Sequence, residues 1–237
     1  HRQVPYLTAR RLLPPPGRLA VVGGTLGLAM GTWAVREHRS GGAVSRAGLS
    51  RRLRRAAERL GPTYIKLGQI ISSGEGLFPS ELVEEFKRCR DQVPAESFDE
   101  VRRVVEEDLG RPLDEVFEHF ERTPIAAASI AQVHAARLRP TDGSDHGPEV
   151  VVKVQRPTIR TQVHSDLKVM SWLAPFLVGR IPIAALANPP ALVELFAQTI
   201  TEELDFRLEA ENMLDVAQSC AQLGQRGVII ARPHPEL

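Results

Sequence analysis

Four short motifs hold most of the residues in this sequence that could do chemistry, and they follow one another in a fixed order. They are KLGQ at residues 66–69, AAASIAQVH at 126–134, VVVKVQRP at 150–157 and EELDFRLEAEN at 202–212. The first and third each supply a lysine, the second supplies small residues that let a backbone approach a ligand, and the fourth supplies carboxylates. Together they suggest a site that handles a nucleotide.

The second and third motifs predict a small antiparallel sheet that carries a lysine. Residues 123–139 and 149–155 alternate or are rich in β-branched side chains, which predicts a strand, a tight turn, a strand, the polar loop TDGSDHGP and a third strand. Lys153 stands among valines in the third strand, and a buried lysine requires an anionic partner. Kinase folds hold a nucleotide with such a hairpin and strand lysine. Taken alone, Lys153 could equally extend to solvent.

A run of small residues occupies the turn that would cover the phosphates. Kinase turns at this place are glycine-rich, whereas this sequence has Ala126, Ala127, Ala128 and Ser129. Alanine lets the backbone approach a phosphate but resists positive φ, so the turn is expected to be stiffer than a glycine loop. Taken alone, an alanine run is also typical of ordinary packing.

The fourth motif gathers carboxylates. If it forms one helix, Glu202, Asp205 and Glu209 recur at spacings of three and four and share a face. Such a group of like charges requires a cation, either a metal ion or the lysines Lys66 and Lys153. The alternative is an acidic helix face in solvent.

Helices are predicted on both sides of the sheet. Pro62 suits the first turn of the KLGQ helix, and Ser97 with Glu100 forms a capping box for a helix that Gly110 ends. The predicted elements are an apolar stripe over 53–60, helices from 62, 80 and 97, a short helix over 114–120, a helix over 159–178, a loop with Pro182 and Asn188-Pro189-Pro190, one long helix over 191–223 and a strand over 228–231.

The N-terminal part has the pattern of a membrane-associated tail. Residues 1–17 are basic and proline-rich, and residues 19–35 contain no charge, which is the low edge of a bilayer span. Gly23, Gly27 and Gly31 recur every four residues and would favour helix–helix self-association in lipid. The alternative is a buried or interfacial helix weakened by glycine.

Arginines dominate residues 36–59, with eight against two glutamates. This excess would hold the following chain on the cytoplasmic side of a membrane, or rest on anionic lipid. The alternative is a helix face in solvent.

Composition excludes several classes of protein. The net charge of +1 offers no global field for nucleic acid, so no nucleic-acid partner is expected. Cys89 and Cys220 form no disulfide framework, which fits a reducing compartment. The sequence contains no CxxC, HExxH or other zinc spacing, so no metal ligands are assigned.

The order and spacing of the four motifs resemble the UbiB (AarF, coenzyme Q8-type) family of atypical protein-kinase-like proteins over roughly residues 50–237. The resemblance implies an α+β fold: a helical KxGQ extension at 50–122 precedes a kinase-like small lobe at 123–237, made of an antiparallel sheet plus helix. Residues 1–49 would be the tail, with a membrane-associated segment at 19–35. The large lobe is expected to be absent from this chain.

The resemblance also implies residue roles. In the family, the KxGQ extension lies over the active site and blocks protein substrates, the alanine-rich loop biases nucleotide preference, and the ExD acids engage the KxGQ lysine. The matching residues are Lys66, Gly68 and Gln69 for KxGQ, Ala126, Ala127, Ala128 and Ser129 for the loop, Gln132 and His134 for its tail, Lys153 for the phosphate contact, Glu209 for the lysine's partner, and Glu203 and Asp205 for ExD.

The implied ligand is ATP or ADP with Mg²⁺, and the implied setting is isoprenoid quinone or prenyl-lipid metabolism. A membrane lipid or prenyl-quinone precursor would be the partner, and the protein would be cytoplasmic and membrane-associated. The catalytic loop and metal-binding aspartate are expected beyond Leu237, so this chain alone is expected to be inactive and prone to aggregation.

Two alternatives stay open: a non-catalytic nucleotide-sensing or lipid-binding module, and a helical membrane adaptor whose strands are structural relics. A Lys153–Glu209 ion pair beside a cleft would weaken the second alternative.

Overall fold

The computed structural model of the protein describes residues 13–37, 39, 42–89, 93–140, 143–178, 188–235 and 237. The helices within them are α1 Pro16–Arg36, α2 Gly42–Leu60, α3 Pro62–Ser72, α4 Ser80–Phe86, α5 Phe98–Leu109, α6 Leu113–Val116, α7 Ile159–Leu177, α8 Pro189–Glu203 and α9 Phe206–Gln222, and the strands are β1 Phe117–Phe120, β2 Ala126–Ala127, β3 Ala131–Leu138 and β4 Glu149–Gln155. Most of the basic lead, positions 141 and 142 of the polar loop, and the Pro182 loop lie outside the described residues.

The KLGQ helix α3 lies inside a helical body. Gly61 separates it from α2 with a φ of 99°, a conformation that favours glycine, and Pro62 starts it as predicted. Phe86 of α4, Leu167 of α7 and Phe196 of α8 belong to one buried cluster with residues of α3. This packing joins helices that precede the sheet in sequence to helices that follow it, so α3 is fixed relative to α7 and α8.

The sheet has β3 at its centre. Strands β1 and β2 follow each other along one edge of β3, and β4 pairs with the other edge, all antiparallel. Val133 lies opposite Lys153, whereas Gln132 lies opposite Val154. Because side chains alternate along a strand, Lys153 and Gln132 lie on opposite faces of the sheet. Helix α5 covers the Gln132 face, where Val154 joins its buried cluster.

Strand β1 corrects the prediction of a helix over 114–120. Only 113–116 are helical, and Phe117–Phe120 pairs with β3, with Phe120 opposite Ala136. Phe117 and Phe120 are buried and their rings meet edge to face at 5.2 Å. Their spacing also fits a helix face, but the edge of β3 offers backbone hydrogen bonds that sequence periodicity does not reveal. The sheet therefore begins before Thr123.

The predicted long helix over 191–223 is also wrong, because α8 and α9 are separate helices. Leu204 and Asp205 form the break, and Asp205 has an extended backbone with φ −102° and ψ 94°. Its carboxylate accepts a hydrogen bond from the amide of Arg207 at 3.2 Å and so caps α9. Glu202, Asp205 and Glu209 therefore do not share the face of one helix.

The predicted strand over 228–231 does not form. This segment has no regular structure, and Ile229 is 98% exposed. Its β-branched residues give it strand propensity, but it pairs with no strand among the described residues, and propensity alone does not make a strand.

Helix α1 packs along α2 and contacts α7 near its start, and much of its remaining surface is exposed. Val22 and Ala29 are buried, whereas Val21, Leu28 and Val35 are exposed. Within the described residues, α1 is the helix whose length and composition would let it cross a membrane. Its glycines have open space where a Cβ would stand, so none of the described residues makes a close contact there, and the predicted self-association in lipid stays a prediction.

The arginines after α1 are only partly a free cluster. Four of them form ion pairs among the described residues: Arg46 with Glu81 at 2.9 Å, Arg51 with Glu85 at 4.0 Å, Arg52 with Glu37 at 2.8 Å and Arg54 with Glu85 at 3.1 Å. These pairs tie α2 to α4 and to the end of α1.

Candidate functional site

Residues of all four motifs surround one open cleft. Its volume is about 120 Å³. The lining residues come from α3, the alanine-rich turn, β3, β4 and the end of α8, and they are Lys66, Ala126, Ala128, Ser129, Ile130, Ala131, Val133, Lys153 and Glu203. Segments that are far apart in sequence therefore present two ammonium groups and a carboxylate to the same space.

Lys153 is held at the cleft by α9. Its Nζ lies 2.5 Å from Glu209 Oε2 and 4.5 Å from the centre of the Phe206 ring. The Lys153 side chain is 36% exposed and that of Glu209 is 50% exposed. An ion pair this open contributes only about 0–1 kcal/mol to stability, so its main effect is to orient the ammonium group. The ion pair therefore lies beside a cleft, which weakens the interpretation of the strands as relics.

Lys66 is held by the end of α8. Its Nζ contacts Glu203 Oε1, and both side chains are less exposed than the Lys153–Glu209 pair. Glu203 Oε2 is buried and has no hydrogen-bond partner in the described part of the chain. A buried carboxylate oxygen requires a donor or a cation, so this oxygen has capacity for a ligand.

Asp205 does not join Lys66. Its carboxylate is used at the start of α9, where it accepts from the amide of Arg207 and lies 3.6 Å from Arg207 Nε. Of the two ExD acids, Glu203 is therefore the one paired with the KxGQ lysine. The helix break explains this, because the two acids stand on different sides of it.

The alanine-rich turn is short and closed. The amide of Ala128 donates to the carbonyl of Ala131 at 2.8 Å, and no non-glycine residue among those described has a positive φ. The turn thus avoids the conformations that alanine resists. Ser129 at its tip is 1% exposed.

Arg156, to which the sequence motifs gave no role, holds the alanine-rich turn by a hydrogen bond. Its Nε donates to the carbonyl of Ala128 at 3.0 Å, and its Nη1 lies 2.6 Å from Glu96. Its Nη2 also donates to the carbonyls of Val93 and Pro94 at 3.3 and 2.9 Å. The side chain is only 6% exposed. The signal in the sequence is an arginine between a run of β-branched residues and a proline.

Gln132 and His134 lie away from the cleft. Gln132 Oε1 accepts from the amide of Glu96 at 2.8 Å, and its Nε2 lies 2.9 Å from His134 Nε2. His134 Nδ1 lies 2.8 Å from the carbonyl of Glu121. This pattern requires a neutral imidazole that donates from Nδ1 and accepts at Nε2. Gln132 therefore does not line the cleft, and its nucleotide contact stays a prediction.

Gly68 has a packing role in α3. A Cβ at this position would lie 2.7 Å from Phe86 Cε1 and closer still to Cδ1. Only glycine allows this approach between α3 and α4. Gln69 follows it, half-buried, and its carbonyl accepts from the amide of Ser73 at 3.2 Å. The structure thus gives Gly68 a structural role and does not bring Gln69 into the cleft lining.

The side chains near the cleft that could help to hold a metal ion are the carboxylates of Glu203 and Glu209. Among the residues that the structure describes, no group of three or more His, Cys, Asp or Glu side chains could hold a metal ion. The carboxylates of Glu203 and Glu209 each pair with a different lysine. The donors that a phosphate-bound Mg²⁺ needs are oxygens, which the Glu203 side chain can supply.

Comparisons with known proteins identify related sequences. The profile of the ABC1 atypical kinase-like domain matches residues 88–228. An aarF domain-containing protein kinase of Arabidopsis thaliana, named as chloroplastic, is 42% identical over 178 residues, which is 74% of this chain and 32% of that protein. A probable protein kinase UbiB of Aeromonas salmonicida is 38% identical over 168 residues, which is 71% of this chain and 30% of that protein. The same kinase of Aliivibrio fischeri is 39% identical over 171 residues. The chain thus spans about a third of the length of these relatives.

Proposed function

This chain belongs to the ABC1 atypical kinase-like family, and from that premise we propose that it forms the nucleotide-binding part of a UbiB-type atypical kinase or ATPase. The observation that carries the proposal is the cleft in which Lys66, Lys153, Glu203 and the alanine-rich turn meet. A polyphosphate would find two ammonium groups in the lining of the same cleft, beside a backbone turn without bulky side chains.

The ligand would be ATP or ADP with Mg²⁺. Lys153 would contact the phosphates while Glu209 orients it, and the alanine-rich turn would cover them. Glu203 Oε2, buried without a hydrogen-bond partner in the described residues, would accept from the hydrated Mg²⁺ that comes with the nucleotide. Lys66, on the helical extension, would leave its pair with Glu203 or share it with the ligand.

The setting of the whole protein is proposed from its relatives. The name UbiB supports a role in isoprenoid quinone or other prenyl-lipid metabolism, with a membrane lipid or prenyl-quinone precursor as partner. The open apolar face of α1 supports association with a membrane surface. Its exposed glycines would let a second helix approach in lipid. Phosphotransfer or ATP hydrolysis belongs to the proposal for the complete kinase.

The test is equilibrium binding of ATP and ADP to the chain, with and without Mg²⁺, followed by thermal unfolding. Binding to the native state raises the unfolding midpoint by mass action. Lys153→Ala is expected to abolish the shift. Lys87→Ala is the matched control, because Lys87 is also an ion-paired lysine but binds Glu75 and Glu84 on the surface.

An equal shift in wild type and Lys153→Ala would contradict the assigned cleft. No nucleotide binding by the wild type would instead favour the membrane-adaptor function. The specific observation behind that second candidate is α1, most of which is exposed although it carries no charge between residues 19 and 35. Sedimentation with lipid vesicles would then be the activity to measure.

A further inference from the structure

The break between α8 and α9 runs against the local sequence. Residues 202–211, EELDFRLEAE, contain no glycine or proline and consist mostly of good helix formers. In a continuous helix the carbonyl of Leu204 would accept from the amide of Leu208. Here the Leu208 amide donates to the carbonyl of Asp205 at 3.1 Å instead. Asp205 caps α9 from within the segment, and contacts from outside the segment add to this local signal.

Two side chains supply those contacts, and both act on one carbonyl. Gln155 Nε2 donates to the carbonyl of Leu204 at 2.9 Å, and Arg160 Nη2 donates to it at 2.8 Å. Arg160 Nε also donates to Gln155 Oε1 at 2.7 Å, which orients the amide. Leu204 is 4% exposed, so water is a poor substitute for these donors.

We propose that Gln155 and Arg160 are positioning residues that hold this break and thereby align both ion pairs of the cleft. Gln155 ends β4, two residues after Lys153, and Arg160 lies in the first turn of α7. Glu203 is the last residue of α8, before the break, and Glu209 lies in the first turn of α9, after it. Fixing the carbonyl between the two acids to the lysine strand sets Glu203 toward Lys66 and Glu209 toward Lys153.

The break itself is tested by amide hydrogen exchange over 204–209 in the full chain. Gln155→Met and Arg160→Met keep the aliphatic bulk and remove the donors. Each is expected to speed exchange roughly tenfold, the equivalent of about one hydrogen bond. Arg160→Lys, which still offers one donor, should recover part of the protection. Arg103→Met is the control, because Arg103 is also an exposed arginine but pairs only with Glu100 and Glu107 of its own helix.

The alignment is tested by nucleotide affinity, and this part rests on the proposed function. The Kd for Mg²⁺–ATP, measured at a temperature where all variants are folded, should rise roughly 3- to 10-fold in Gln155→Met and Arg160→Met. Unchanged exchange would overturn the inference. Faster exchange with unchanged affinity would overturn the positioning role and leave nucleotide binding intact. If the wild type binds no nucleotide, the proposed function fails, while the exchange experiment still decides whether these residues hold the break.

Discussion

Arg156 and Gly68 are two residues that their nearest analogues, lysine and alanine, cannot replace. Arg156 brings a planar guanidinium with five donors to a buried point where three carbonyls and one carboxylate converge. Lysine, a point charge on a flexible stem, cannot reproduce that fork. Because one of the carbonyls belongs to Ala128, the same side chain ties the linker before α5 to the turn that lines the cleft.

Arg156→Lys should therefore loosen the turn without removing the charge beside Glu96. We expect a loss of about 1–3 kcal/mol in the free energy of unfolding, because buried carbonyls lose their donors. Nucleotide affinity should also fall, since the turn is no longer fixed. Chemical denaturation and ATP titration measure the two effects. Arg103→Lys, on an exposed helix face, should change neither, and equal effects of both substitutions would contradict the assignment.

Gly68→Ala should destabilise the contact between α3 and α4. The new Cβ would overlap the Phe86 ring, and overpacking of this kind costs about 1–3 kcal/mol. Gly27→Ala is the matched control, because its Cβ meets no atom within 4 Å. Alanine has the higher helix propensity, so the control should stabilise α1 by up to about 1 kcal/mol. Denaturant unfolding of both variants decides the sign at each position.

Among the helices and strands, the features predicted correctly are those that neighbouring residues in the sequence determine. The caps at Ser97 and Gly110 and the proline start of α3 are local, and each is found where expected. Strand β1 and the break after α8 were not predictable, because both depend on partners from other parts of the chain. Phe117–Phe120 becomes a strand because the edge of β3 accepts it, and Leu204 leaves the helix because Gln155 and Arg160 take its carbonyl.

A buried ion pair ties α1 to α7. Arg18 Nε lies 2.5 Å from Asp166 Oδ1, and Arg18 Nη2 also donates to the carbonyl of Leu60 at 2.7 Å. Asp166 is fully buried. Burial raises the pKa of Asp166, while the hydrogen bond and charge of Arg18 act in the opposite direction. Arg18 therefore supplies the positive charge that offsets the burial of this carboxylate, and Thr63 also lowers its pKa.

Arg18→Met should cost about 3–5 kcal/mol at neutral pH, because it leaves a buried charge unpaired. Losing Arg18 raises the folded-state pKa of Asp166 further above its unfolded value. The folded variant then binds more protons than its unfolded state, so its deficit should shrink as pH falls through the folded pKa. Denaturation of wild type and variant over acidic to neutral pH measures this. Arg18→Met with Asp166→Leu should recover stability, and a pH-independent deficit would contradict the explanation.

At the scale of the molecule, the site was predictable as a set of residues but not as a geometry. The motifs named Lys66, Lys153, Glu203 and Glu209, and the structure brings them into two ion pairs at one cleft. Asp205 lies apart from Lys66, and Gln132 lies on the sheet face that α5 covers. Both placements follow from tertiary packing. Neither strand pairing nor the helix break is encoded in motif spacing, which is why those two placements were not predicted.

Helices α9 and α1 both expose apolar side chains, but they differ in how they pack on the rest of the structure. Helix α9 has no buried residue, Leu214 and Val216 are exposed along it, and Leu223 is exposed directly after it. The expected tendency of this chain to aggregate stays a prediction, which sedimentation velocity can test. Helix α1 instead combines exposed apolar residues with one side packed on α2 and a fixed anchor at Arg18. A helix held in this way presents one constant face to its surroundings.

A single charge on the exposed apolar face of α1 should weaken its binding to a membrane. Val21, Leu28 and Val35 are spaced by seven residues and are 51%, 60% and 82% exposed. Leu28→Asp should leave the fold intact but lower the partition into lipid vesicles by roughly 10- to 100-fold, because a carboxylate resists transfer into the acyl region. Leu223→Asp, equally apolar and 75% exposed at the end of α9, should partition as the wild type does. Equal loss in both variants would mean that contact with lipid depends on general surface hydrophobicity rather than on α1.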